Sequence, residues 1–344
     1  MSEKEVELED ENSSEELFEH YKFVADPGQE LLRIDKFLMD RIPNSSRNKI
    51  QIAAKNGNIL VNKEKVKQNY KIKPSDEISI VLPYPVRENE LIPENIPVEI
   101  AYEDDEVIVV NKESNMVVHP GYGNYSGTLV NALIYHFDQL PTKNDDHSGR
   151  PGLVHRLDKH TTGLLVVAKT EFALTNLAKQ FYDRTTERRY WALVWGDVKE
   201  DGTVVGHVGR SPKNRKVMTV FKDGEMGKHA VTHYKVLKRY GYVTLVECKL
   251  ETGRTHQIRV HMKSIGHTLF NDFEYGGDTI LKGTTNSKYK KFIENCFDFL
   301  DGQALHAKTL GFQHPITKEQ IKLTSELPIG FQSVIDKWEK YTGI

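Results

Sequence analysis

Five consecutive apolar residues, Leu164 to Ala168, constrain the fold of this chain more than any other stretch. The run has strand character and places a strand beside the core. The residues just before it are of the opposite kind. Val154-His155-Arg156-Leu157-Asp158-Lys159-His160-Thr161-Thr162-Gly163 is a turn dense in charge and hydrogen-bonding groups. It sets one acid, Asp158, between Arg156 and Lys159. A carboxylate flanked by cations stays ionised and can attack or deprotonate a substrate.

Length and charge narrow the possibilities. The chain has 344 residues, enough for a large core plus a small extra domain. No apolar run approaches the ~18 residues of a membrane span, and no basic-then-apolar leader opens the sequence. Cys248 and Cys296 lack metal-type spacing, and so few cysteines suit a reducing cytoplasm, the expected location. The net charge of -2 hides a split: residues 1–20 hold nine acids against Lys4, so the rest of the chain carries +6. Residues 30–84 hold eleven Lys/Arg and six Asp/Glu. A basic small domain points to a polyanionic partner; the alternative is a solvated charged surface.

The pattern divides the chain into an acidic disordered tail (1–24), a small α/β module (25–84), a proline-rich linker (85–97) and a second domain (98–344). In the module, Ile34, Phe37, Leu38 and Ile42 share a helical face that Pro43 ends. Ser45 or Ser46 can cap a second helix that stops at Gly57. Strands follow at 58–62 and 77–82. In the second domain, strands are expected at 107–110, 164–168, 190–195, 230–238 and 242–250. Helices are expected from Leu129, over 171–182, and from about Thr255 to Gly266. Many strands with few helices between them argue for an α+β fold on a mixed, largely antiparallel sheet with flanking helices and loops, not a doubly wound one.

Further segments of the second domain carry candidate chemistry. These are Asn111-Lys112, Val117-Val118-His119-Pro120-Gly121, Arg189-Tyr190-Trp191-Ala192-Leu193-Val194, Gly253-Arg254-Thr255-His256-Gln257-Ile258-Arg259-Val260-His261 and Gln303-Ala304-Leu305-His306-Ala307. His155, His256, His261 and His306 suggest a metal set at first glance. His256 and His261 are five apart, however, with no acid or cysteine joining them, so structural or polyanion-contacting roles are expected and no metal. No Gly-x-Ser-x-Gly elbow supports a hydrolase.

Together with Asp158 and its turn, these strings resemble the RluA-type pseudouridine synthases, most closely the RluD-like branch with an N-terminal S-four RNA-binding domain. In the small module the resemblance rests on Arg33, Asp35, Ser46, Arg47, Gly57 and Val61-Asn62. It implies that Asp158 is the essential aspartate, Tyr190 the base-stacking tyrosine and Arg259 the arginine pairing with the aspartate. Arg156 matches the residue that enters the RNA as the uridine leaves the stack. Arg254 and His256, and on the small domain Arg33, Lys36, Arg47, Lys49 and Lys55, are the expected RNA contacts. The resemblance further implies a cofactor-free isomerisation of uridine by a monomer acting on large-subunit ribosomal RNA or an assembling ribosomal particle, with no membrane partner. Rival readings are a transfer RNA substrate, a catalytically silent assembly factor, and a base-excising glycosidase, which would need a second carboxylate beside Asp158.

Three departures from the family pattern stand out. Residues 111–115 lack the usual proline and glycine, although Asn115 tolerates a left-handed backbone. Gly302 replaces an arginine before Gln303. Residues 278–299 form a lysine-rich insertion, read as an extra helix against the RNA.

Overall fold

The computed structural model describes residues 17–42, 45–82, 91–121, 123–137, 140–141, 150–221, 224 and 226–343. The chain forms two compact units, 1–90 and 91–344.

In the first unit, strands β1 (Phe18–Val24), β6 (Glu77–Leu82), β3 (Ile59–Val61) and β4 (Glu64–Lys65) make one sheet in that order, and β2 (Leu32–Arg33) pairs with β5 (Lys71–Ile72). Helices α1 (Ile34–Met39) and α2 (Arg47–Lys55) supply Phe37, Leu38, Ile50 and Ala54 to the core against Ile59, Ile78 and Ile80. Ser46 caps α2 by accepting from the Lys49 amide, and Gly57 takes a φ of +73° at its end, where a Cβ is disfavoured. The acidic tail is shorter than its composition predicts. Residues 18–24, read as tail, form β1 antiparallel to β6, with Phe18 and Phe23 half-buried. Charge concealed a strand that Glu19 helps to hold, by accepting from Ser79 at 2.5 Å. Residues 1–16, the remainder of that expected tail, lie outside the described residues.

Buried Asp35 organises the two helices. It accepts from Arg33 (3.1 and 2.9 Å), Arg47 (3.0 Å) and Gln51 (2.9 Å). Burial pushes its carboxyl up, but the hydrogen bonds from Arg33, Gln51 and Arg47 outweigh this and hold it well below the usual carboxylate range. A carboxyl depressed only in the fold contributes stability above its unfolded pKa of about 4, and that stability is lost as pH falls below it. The first unit should therefore weaken progressively below ~pH 4, and Asp35→Asn should flatten that acid limb while lowering stability at neutral pH. Urea unfolding of the full-length protein, followed by NMR on residues 45–82, checks this; an unchanged acid limb in the variant would refute it.

The second unit is built on a ten-stranded sheet. Its strand order is β12 (Met218–Phe221), β11 (Gly202–Arg210), β13 (Lys228–Arg239), β14 (Val243–Leu250), β10 (Glu187–Trp195), β15 (Leu305–Gln313), β9 (Thr162–Ala168), β8 (Val107–Lys112) and β7 (Ile100–Glu103), with β16 (Gln320–Thr324) beside β15. Every pairing is antiparallel except β15 with β9. The seam of that exception is close: Gly163 has φ +107°, and a Cβ there would stand 2.5 Å from the Ala307 carbonyl oxygen. Only glycine lets the two strands meet at this point.

Two cores flank the sheet. Ile108, Val110, Leu165, Tyr190, Ala192 and Cys248 pack with Leu129 and Leu133 of α3 (Leu129–His136) and with Ile258 and Met262 of α5 (Gln257–Ser264). Leu193, Trp195 and Phe270 pack with α6 (Ser287–Phe297) and α7 (Ile329–Thr342). A further apolar group joins α4 (Glu171–Asp183) to β8 and β9 through Leu174 and Leu177.

The insertion contains the expected extra helix, α6. Its Tyr289, Ile293 and Cys296 are buried in the core with Trp338, leaving Lys288, Lys290 and Lys291 outward. The described part of the expected linker is docked instead: Asn131 of α3 donates to the Ile92 carbonyl (2.8 Å), and the Glu94 amide donates to the Asn131 carbonyl (3.0 Å).

Candidate active site

Asp158 sits in the turn that delivers the chain into β9. Its carbonyl accepts from the Thr161 amide (3.1 Å), and Gln303 donates to the Thr161 hydroxyl (3.1 Å). Below it, buried Lys112 donates to the carbonyls of Glu113 (2.6 Å), Met116 (2.9 Å) and Lys159 (3.1 Å), tying the Asp158 turn to the loop after β8. Burial pushes the Lys112 amine down to about 7, opposed by the charge of Asp158. Asn115 takes the left-handed conformation (φ +63°), so this loop closes without the family's proline and glycine. At Gly302 a Cβ would stand 2.6 Å from that of His160, which explains why no side chain occupies that position.

Across the cleft, the loop from β14 into α5 is held by Gln257. Gln257 accepts from the Thr252 hydroxyl (2.8 Å) and the Arg254 amide (3.0 Å), and donates to the Val231 carbonyl (3.0 Å) and the Thr232 hydroxyl (2.9 Å). This lattice aims α5 so that Arg259, only 2% exposed, reaches Asp158. Asp272 grips Arg259 at both Nε and Nη2 (2.7 Å each), and Glu274 accepts from Nη2 at 2.5 Å. Nη1 is left to donate to Asp158 Oδ2 at 3.3 Å. Burial pushes the guanidinium down, but Asp272 first and then Asp158 and Glu274 hold it charged. A guanidinium fixed in plane by one carboxylate presents its remaining edge to the other in a set direction.

His256 opens α5 in a left-handed conformation (φ +54°), with Nδ1 2.8 Å from the Tyr275 hydroxyl and Nε2 3.9 Å from Asp158 Oδ1. Burial lowers its pKa, against the opposing charge of Asp158, so the ring is neutral near pH 7. Tyr190 of β10 is buried and lines the same cleft; burial raises its phenol, with Arg188 and Asp158 acting on it in opposite senses. The cleft measures about 410 Å³, and Asp158, its side chain 17% exposed, stands in its wall with Tyr190, Arg156, Arg254, His256 and Arg259.

The profile of the RNA pseudouridylate synthase family matches residues 106–264, and that of the S4 domain matches residues 32–78. An RNA pseudouridine synthase of Chlorobaculum parvum, described as uncharacterized, is 45% identical over 308 residues, 89% of this chain and 94% of that protein. The chain belongs to the RNA pseudouridine synthase family. The ribosomal large subunit pseudouridine synthase D of Zymomonas mobilis is 42% identical over 304 residues, covering 87% of this chain and 92% of its own. The solved structure of human RNA Pseudouridylate Synthase Domain Containing 4 superposes with a TM-score of 0.53 at 25% identity, over 70% of this chain and 93% of that one.

In this pseudouridine synthase the fold brings Asp158, Tyr190, Arg259, Arg156, Arg254 and His256 into one cleft. Arg156 is exposed, and Arg254 is partly engaged, donating to the His229 carbonyl at 3.1 Å. The small-domain candidates behave differently from one another. Lys36, Lys49 and Lys55 are exposed, whereas Arg33 and Arg47 turn donors toward Asp35, so part of their character is structural.

Of the other histidines, His155 accepts from the Val166 amide (3.0 Å) and stacks on Phe181, and His306 is held between Thr162 and Ser325 (2.8 Å each). Sequence reasoning missed Asp272 and Glu274, the two acids that anchor Arg259. It also missed Arg184 and Arg188 on the cleft wall. The only local signal for the first pair was an acidic cluster just past the glycine that stops α5.

Proposed function

We propose that this enzyme isomerises uridines of large-subunit ribosomal RNA, with Asp158 as the reacting group. Isomerisation breaks the bond from C1′ to N1, turns the base and joins C1′ to C5. C5 gives up its proton and N1 gains one, so composition is unchanged and no redox partner enters. The observation that carries this reading is a half-buried, cleft-lining carboxylate held by a buried, triply paired arginine, with an aromatic ring on the same wall. Arg259 pairs with the Asp158 carboxylate and orients it. A stacked uridine cannot reach a cleft of this kind, so the base is extruded at a cost of a few kcal/mol. Tyr190 then packs on the uracil, a contact worth ~1–3 kcal/mol, while Arg156 at the exposed rim occupies the space left in the RNA.

The ribosomal substrate is supported by the names of relatives such as that of Zymomonas mobilis and by a small domain whose exposed lysines suit phosphate contacts. Pseudouridine mapping across all cellular RNA, with and without the gene, tests it. Sites lost from the large-subunit RNA are expected; losses confined to transfer RNA would replace the ribosomal reading with its rival.

A further inference from the structure

Arg188 lies on β10 two residues before Tyr190, and both side chains line the cleft. It is 8% exposed, and its Nε has no hydrogen-bond partner. Its neighbour Arg189 pairs with Glu187 (2.6 Å) and Glu247 (2.7 Å), whereas no carboxylate among the described residues pairs with Arg188. The guanidinium rests over the Phe181 ring, 5.4 Å from its centroid. Its Nη1 would stand 2.9 Å from a Cβ at Gly253, so this glycine leaves the room it occupies. Of the cleft's acids, Asp158 faces Arg259, and Glu251 shares a hydrogen bond with His233.

A buried, unpaired guanidinium is costly and is tolerated where a ligand brings the missing anion. RNA offers one anionic group, the phosphodiester, whose two free oxygens match a guanidinium's fork. A uracil carbonyl would satisfy the donors and leave the charge uncompensated. Arg184 and Arg156, both exposed on the cleft wall, add positive charge to the same approach. We infer that Arg188 binds a phosphodiester flanking the target uridine and thereby positions the nucleotide, its sugar toward Asp158 and its base toward Tyr190.

The inference rests on the proposed substrate only for the choice of RNA. The test uses the full-length protein and a short RNA stem-loop that the wild type converts, ribosomal or transfer as mapping dictates, so failure of the substrate reading is seen separately. One uncharged methylphosphonate is placed either 5′ or 3′ to the target uridine. In the wild type, one of the two should lower kcat/KM by roughly 10–100-fold, which also tells which phosphate is held. Arg188→Gln should show that loss on unmodified RNA, mainly in KM, and no further loss on the modified RNA. Arg188→Lys should recover part of it, because a point charge still meets the phosphate. The inference is overturned if neither methylphosphonate affects the wild type, or if each lowers wild type and Arg188→Gln by equal factors. The wild-type comparison stands even where a variant folds poorly.

Discussion

Asp158→Asn should abolish pseudouridine formation while leaving the protein folded and RNA-bound. The amide keeps the shape of the carboxylate and can still accept from Arg259 Nη1, now 3.3 Å away. It is not ionised, so it can neither attack nor deprotonate. Loss of a reacting group of this kind commonly costs 10³-fold or more, and a fall of at least ~10³ in single-turnover rate is expected. Release of label from C5 of uridine measures the rate, and filter binding on the same RNA measures affinity. Residual activity near that of the wild type would remove Asp158 from the chemistry. A matching collapse in affinity would assign it to binding instead.

The second large effect belongs to Arg259. Arg259→Met leaves Asp158, Asp272 and Glu274 facing one another without a cation, with Asp272 buried. Removing one partner from a buried ionic cluster costs about 3–5 kcal/mol. At 2–4 °C per kcal/mol for a unit of this size, Tm should drop by ~6–20 °C, and activity should be lost. Adding Asp272→Asn should recover part of the stability and none of the activity. That separates two duties: Asp272 anchors the arginine, and the arginine serves Asp158. Calorimetry beside the label-release assay reads both. Recovery of activity in the double variant would show that Arg259 is scaffolding alone.

The readable part of the site was the part written in contiguous strings. Asp158 and Arg259 each lie in a long motif, and their pairing follows from the resemblance. Asp272 and Glu274 lie outside any motif recognised in the sequence, and their role is created by where the chain after α5 returns. Arg188 and Arg189 show the limit most plainly. Side by side they are chemically identical, and only the alternation of β10 sends one to two carboxylates and the other to the cleft. In the fold, the strands at 107–110 and 164–168 were legible from apolar runs, but the seating of β15 between β9 and β10 was not, because that pairing joins segments far apart in sequence. Local composition misled at 18–24, where acids surround the half-buried Phe18 and Phe23 of a real strand.

The cradle of Arg259 also decides which cations of the cleft are left to act on a ligand. Asp158, Asp272 and Glu274 share a single guanidinium, and of the three only Asp158 lines the cleft. On the same cleft wall stand Arg156, Arg184 and Arg188, none of them ion-paired among the described residues. A polyanion is attracted by the unpaired arginines, whereas the charge of Arg259 is already matched by carboxylates. Phosphates are drawn to the arginine-bearing part of the wall before any base is recognised.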